Sequence, residues 1–272
     1  MASSLADVRE VLERLWPADG AEPWDASGLV SGRLDAPIER ILLTVDAVGQ
    51  TVDEAVDARA DLLIAHHPLL LRGVTTIAED RYKGLLLARL IRADCALVAA
   101  HTNADVVADG TSAVFADLLG LRETRPIVEG TRPNTGIGRV GRTNEPTTLG
   151  RFAKRIADIL PATASGVRVA GDYDTPITTV ALCAGAGDAY LTEPAVMASD
   201  VYVTSDLRHH PASEAREQAL LRGGPALVDV SHWASEWLWL QTAERQLRNE
   251  LPEISISVSQ TRTDPWDFAI MQ

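Results

Sequence analysis

All six histidines of this 272-residue chain fall in four short motifs: His66-His67-Pro68, HTNAD from His101 to Asp105, His209-His210-Pro211, and His232 with Glu236 four residues on. Imidazoles and carboxylates gathered in this way are the donors of a divalent metal site. Without thiolate partners they favour Zn, Fe, Mn or Ni over Cu(I) or an iron–sulfur cluster. His66 and His67 are neighbours, and Pro68 keeps His67 extended. Adjacent side chains of an extended segment point to opposite faces, so the two rings are expected to serve two ions rather than one. His232 and Glu236 open the stretch HWASEWLWLQTAERQL, where a spacing of four puts them on one helical face. Trp233, Trp237 and Leu240 supply an adjoining apolar stripe to hold that face against a core. Asp105 reads either as a ligand or as a cap for a helix near Thr111. Two ions about 3.5–4 Å apart activate water and clamp an oxyanion, so the chemistry is hydrolysis of a phosphoester, an amide or the imidazole ring of a purine nucleotide. Asp25, Asp206 and His210 are the remaining polar residues at motif positions and are candidate catalytic groups, for proton transfer or substrate contact.

These residues need elements to position them. A first helix is expected from Ser4 to Trp16, with Ser4 and Asp7 as a capping box, an apolar stripe of Leu5, Val8, Leu12 and Leu15, and Pro17 as its stop. ILLTVDA at 41–47 reads as a buried strand, and Thr51 with Glu54 reads as a capping box opening a helix to about Arg59. A second strand, DLLIA at 61–65, runs into the first histidine doublet. A helix over 82–92 and the strand CALVAA at 95–100 then lead to HTNAD. Strands alternating with helices indicate an α/β architecture with a largely parallel or mixed sheet.

The region from 121 to 144 is rich in Gly, Arg, Thr and Pro and includes GIGRVG at 136–141. A dinucleotide fingerprint must follow a buried strand and open a helix. Here TRPNT precedes it and RTNEP follows, so a β-turn or hairpin is the better reading. Arg139 within it is open to two roles, a phosphate contact or a surface salt bridge.

The second half repeats the first. VALCAGAG at 180–187 matches ILLTVDA, and DVYVTSD at 200–206 matches DLLIA before the chain again reaches His-His-Pro. After a helix around 212–221, PALVDVSH echoes CALVAAH. The repeat suggests two structural halves, residues 1–125 and 126–272, related by a pseudo-twofold and each contributing part of the metal site. The two doublets should then lie at equivalent strand ends. A dinuclear site needs only one of them, so His210 is expected near the metals without ligating and His209 as a turn cap.

Composition narrows the classes. Lys+Arg 25 against Asp+Glu 38 gives a net charge of −13, a field that repels a phosphate backbone and argues against nucleic acid as a partner. Hydrophobic residues at 46% are ordinary for a globular domain. Cys95 and Cys183 lie in apolar runs without C-x-x-C spacing, which excludes a disulfide framework or zinc ribbon. The acidic amphipathic N-terminal stretch is unlike a signal peptide, and no apolar run reaches the length of a membrane span. A cytoplasmic location is the expectation.

Taken in order, WDASGL, LLIAHHP, HTNAD, GIGRVG, VTSDLRHH, SHWASE and the late TDP at 263–265 resemble the NIF-three-like family, the dinuclear-metal-centre hexameric proteins also known as GTP cyclohydrolase type 2 homologues. The resemblance spans nearly the whole chain. It implies an α/β fold of two intertwined repeats with mixed sheets, assembled as a toroidal homohexamer. By position the implied metal ligands are His66, His67, Asp105, His232 and Glu236, with Glu236 bridging two divalent ions and His101 a less certain addition. Ala26 stands where the family often has Asn, and His209-His210 where one histidine is usual. The implied activity is hydrolysis of a small, nucleotide-like substrate. The rival reading is a non-enzymatic metal-binding or interaction/scaffold protein, for which a closed site or a single stable ion would suffice.

Overall fold

The computed structural model describes residues 3–270. They form two compact units: residues up to Ala104 with Leu240–Thr263, and Asp105–Trp239 with the residues from Asp264 on. The fold is α/β with mixed sheets.

The first unit is built on a five-stranded sheet in the order Ser255–Val258, Arg40–Thr44, Leu62–Ala65, Ala96–Ala99, Gly28–Ser31. The first four strands are parallel and Gly28–Ser31 closes the edge antiparallel. Leu62–Ala65 and Ala96–Ala99 are buried throughout, which is why both read as unbroken apolar runs rather than alternating ones. Leu42, Leu63 and Leu97 pack against Val52 and Ala55 of the helix Gly49–Asp57 and Leu86, Leu87 and Leu90 of the helix Tyr82–Arg92. Each of these leucines and Val52 contributes about 1.5–3 kcal/mol by leaving water. Register is pinned by Asp61, whose carboxylate accepts from the N–H groups of Glu39 and Arg40 at 2.9 and 2.8 Å.

The second unit carries a six-stranded sheet in the order Arg168–Ala170, Ala226–Val230, Val201–Ser205, Pro176–Ala186, Arg139–Thr148, Arg122–Arg125. Its three strands between 176 and 230 are parallel, and the outer pairings are antiparallel. Asp200 does here what Asp61 does in the first unit, accepting from the N–H groups of Thr178 and Thr179 at 2.7 and 2.8 Å. Phe115, Phe152, Leu182, Val203 and Val228 fill one side of this sheet. Ala181, Cys183, Tyr202 and Leu227 belong to a second cluster. The repeat seen in the sequence is thus a repeat of topology: an antiparallel edge strand precedes three parallel strands in sequential order, and pairs with the last of them.

Local chemistry explains the helix starts. Ser4 caps the helix Leu5–Leu15, accepting from the Asp7 N–H while Asp7 accepts from the Ser4 N–H. The Thr51–Glu54 box does not form. The helix Gly49–Asp57 begins earlier, and Thr51 sits inside its first turn, accepting from the Val48 N–H and donating to the Asp46 carbonyl. GIGRVG carries no nucleotide-type turn into a helix: Gly136–Ile137 pairs as a hairpin with Val128–Glu129, and Arg139 opens a long strand. Arg139 is buried rather than at the surface, its guanidinium donating to the carbonyls of Gly136, Gly138, Val107 and Ala108. It is a structural staple, unavailable to a phosphate. Among the described residues no helix is long and apolar enough to cross a membrane.

Candidate metal centre

In the first unit the Leu62–Ala65 strand ends directly at His66. The sheet ladder nevertheless runs two residues further, His66 N–H to Thr44 and His67 N–H to Val45. Past the regular strand the pleat no longer throws neighbours to opposite faces. The rings of His66 and His67 lie 5.1 Å apart, tilted by 44°, and each is within 5.5 Å of the His101 ring. The expectation that the doublet diverges is therefore corrected: one coordinating atom from each of the three rings falls within 4.8 Å of the others.

Each ring is fixed by its Nδ1. His66 Nδ1 lies 2.7 Å from the Ala100 carbonyl, His67 Nδ1 2.7 Å from Asp46 Oδ1, and His101 Nδ1 2.7 Å from Asp25 Oδ1. A carbonyl or an ionised carboxylate can only accept, so the hydrogen resides on Nδ1 and Nε2 carries the lone pair. This is the outer support typical of metal-bound histidines. Asp25 is thoroughly engaged, also accepting from Ala26, Ser27 and Thr102. Burial opposes its charge, but the hydrogen bonds from Ser27, Thr102 and His101 outweigh it and hold the carboxyl well below the usual range. The structure thus places Asp25 as the partner of His101. Asp46 escaped the sequence reading, although its place just beyond a buried strand, where open α/β sheets gather ligands, was a usable signal.

In the second unit His232 and Glu236 share a face of the helix His232–Glu250, with His232 Nε2 3.0 Å from Glu236 Oε1. Glu236 is buried beside the core cluster that takes in Leu238 and Trp237. His232 Nδ1 lies 2.7 Å from Asp206 Oδ2. Burial works against a charged ring, yet the Glu236 and Asp206 carboxylates on its two sides raise the His232 pKa well above the ordinary value. Asp206 is itself in the left-handed backbone region at φ 56°, a conformation an aspartate tolerates and functional sites retain.

Gly185 lies against this pair. A Cβ there would stand 2.3 Å from Glu236 Oε1 and 3.3 Å from His232 Nε2, and its φ is +72°. Its N–H donates to Ser235 Oγ and its carbonyl accepts from Thr204, where the pairing between Pro176–Ala186 and Val201–Ser205 shifts register. A glycine inside an apolar strand signals a bulge or a close approach, and here it is both. Asp105 accepts from the Thr111 hydroxyl, while Gly110 occupies the cap position of the helix Thr111–Leu118. Asp105 is therefore not that helix's cap. Its carboxylate and that of Glu236 are both felt by the Cys183 thiol, which burial first and then these charges push up to about 12.

His209 and His210 are exposed in the first turn of the helix His209–Arg222, their rings 5.3 Å apart. They do not occupy the strand end equivalent to His66-His67, because Asp206, Leu207 and Arg208 intervene after Ser205. The doublet correspondence expected from sequence is corrected accordingly.

The donor set suits borderline divalent ions. The imidazoles are held in the coordinating tautomer, a buried carboxylate faces His232, and both cysteines are buried with pKa values near 12, so thiolate takes no part.

The model of the Duf34/NIF3 (NGG1p interacting factor 3) family matches residues 3–265. A Streptomyces coelicolor protein named GTP cyclohydrolase 1 type 2 homolog is 45% identical over 273 residues, covering 96% of this chain and 93% of that one. A Clostridium perfringens protein of the same name is 29% identical, covering 97% and 99%. The crystal structure of Staphylococcus aureus protein SA1388 superposes with a TM-score of 0.87 at 26% identity, covering 98% and 99%. A Bacillus cereus protein related to NIF3 does so at 0.87 with 22% identity, covering 99% and 100%, a likeness of fold. The histidine and carboxylate motifs, the topology that presents them and the match along nearly the whole chain agree: the chain belongs to the Duf34/NIF3 family.

Proposed function

We propose that this protein is a dinuclear metal-dependent hydrolase of a small, nucleotide-like substrate. One observation carries the metal reading: His66, His67, His101 and His232 each have Nδ1 turned to an oxygen, as ligating histidines do. Relatives named GTP cyclohydrolase 1 type 2 homolog support a hydrolytic reaction on a nucleotide. The proposed ligands are His66, His67, Asp105, His232 and Glu236, with Glu236 shared between two ions. His101 adds a third imidazole beside the doublet. Two divalent ions would supply Lewis acidity and an activated water.

The chain's own residues do the positioning. Asp46, Asp206 and Asp25 fix the tautomers of His67, His232 and His101, so Asp25 and Asp206 act through histidines rather than on substrate. Gly185 makes room for Glu236, and Ser235 holds the Gly185 backbone. The family resemblance also supports a cytoplasmic homohexamer, for which light scattering should give about six times 29.3 kDa.

The test is a turnover screen of the metal-loaded protein against nucleotides, phosphoesters and cyclic amides, run beside elemental analysis. We expect about two ions per chain and turnover of one class that disappears in Glu236→Ala. Two firmly held ions with no turnover in any class would instead identify a metal-binding or scaffold protein.

A further inference from the structure

We infer that Trp24 is a stacking platform that selects substrates carrying a flat heterocyclic ring. The inference rests on the proposed hydrolase reading and adds the part of the substrate the metals do not recognise. The Trp24 indole meets the His101 ring nearly edge-on, with centroids 5.8 Å apart and planes at 79°. It therefore stands at the margin of the three-histidine cluster, yet the residue is 60% exposed. Leaving so large an apolar ring in water is costly, and hydrogen bonds tie the surrounding backbone at both ends.

That backbone is a tight turn. The Asp25 N–H donates to the Glu22 carbonyl at 2.9 Å, with Pro23 in the position that proline presets and Trp24 next. Both ends of the turn are tied to the segment carrying His101. The Glu22 N–H donates to Thr102 Oγ1 at 2.9 Å, and the Asp25 carboxylate receives His101, Ser27 and Thr102. The same carboxylate that sets the His101 tautomer therefore sets the place of the indole. A ligand ring laid on Trp24 loses little further protein entropy, and its substituents reach the histidines. An aromatic platform accepts any flat base, so selection is for planarity and area rather than for one hydrogen-bonding pattern.

The experiment compares guanosine 5′-monophosphate with ribose 5-phosphate, binding by calorimetry to the metal-loaded full-length protein and to Trp24→Ala and Trp24→Phe. We expect wild type to prefer the nucleotide by about tenfold or more, as base stacking on an aromatic ring provides. Trp24→Ala should lose that preference while keeping its affinity for ribose 5-phosphate and its metal content, and Trp24→Phe should retain part of it. A preference that survives in Trp24→Ala overturns the inference, as does a wild type that binds both probes equally. A change of mass in light scattering on Trp24→Ala also overturns it, because the indole would then be covered by a second copy. Phosphate release from glycerol 2-phosphate, measured alongside, involves no planar ring that could stack on Trp24. Its presence in all three proteins leaves the hydrolase reading standing when stacking fails, and its absence together with an empty turnover screen counts against that reading itself.

Discussion

The two sheets deliver different chemistry from matching strand ends. Counted from the register-pinning aspartates Asp61 and Asp200, the position of His66 in the first sheet is that of Ser205 in the second, and the position of His67 is that of Asp206. The ladders agree, since Ala65 pairs with Ala99 as Thr204 pairs with Asp229. Where the first repeat places a candidate ligand, the second places the residue that orients one. Repetition has kept the frame and exchanged the roles, and the His-His-Pro echo is displaced by four residues from the place it imitates.

The sharpest way to break this comparison is to remove the carboxylate that the second repeat contributes. Two divalent ions repel strongly when held close with little negative charge between them. We therefore expect Glu236→Ala to fall from about two ions per chain to almost none by elemental analysis. His66→Ala and His67→Ala should each lose about one. Gly185→Ala comes next. The left-handed backbone costs about 1–2 kcal/mol for any other residue, and the new Cβ would displace the Glu236 carboxylate. A denaturant titration should show at least that loss, accompanied by weaker metal retention.

The exchanged positions give a finer test. Asp46→Ala and Asp206→Ala should each weaken metal binding about 10–100-fold in chelator competition, the usual effect of losing a histidine's outer partner. Ser205→Ala should leave binding unchanged. Among the described residues its buried hydroxyl has no hydrogen-bond partner, so removing it relieves a penalty. If Ser205→Ala impaired metal binding as Asp206→Ala does, the correspondence with the His66-His67 pair would have to be redrawn.

Acidity separates the metal-free from the metal-loaded protein. Because the folded pKa of His232 is raised, its paired, protonated ring stabilises metal-free protein in full below about pH 6.5, the ordinary histidine value. That contribution is lost as pH rises through the folded pKa. A metal ion held by His232 would have to displace the same proton, so metal affinity should rise with pH while the metal-free protein loses stability. Thermal melts with and without chelator across this range check both slopes. The smallest effect expected is that of His209→Ala and His210→Ala, which on an exposed helix turn should alter stability by less than about 0.5 kcal/mol and leave metal content intact.

Much of the frame was legible because buried parallel strands and amphipathic helices leave strong patterns. The helix Tyr82–Arg92 has the expected limits, and the strand cores around 41, 62, 96, 201 and 226 lie where the apolar runs put them. The features that were missed depend on backbone and partner geometry. Thr51 looks like a cap, but the helix starts before it. Arg139 looks like a surface charge, but four carbonyls enclose it. The convergence of His66 and His67 depends on the pleat ending at Ala65, which no spacing rule records. Asp25 and Asp206 stood out as polar residues at strand and turn positions, but their role as histidine partners depends on ring nitrogens more than 20 residues away in the chain.

The strand Ser255–Val258 has a consequence for how the molecule is made. It lies beside Arg40–Thr44, and the Ser257 hydroxyl reaches the Ile41 carbonyl across 216 residues of sequence. Contacts this remote close late, because their entropy must be spent before they return anything. On the ribosome the first three parallel strands of that sheet emerge early and then wait, with the flank of Arg40–Thr44 unprotected, until Ser255–Val258 has been made. The second sheet draws all its strands from residues 122–230 and can be complete before then. The half made first is the half that finishes folding last, and a released chain truncated after residue 250 should expose that flank to proteolysis while the second sheet is already protected.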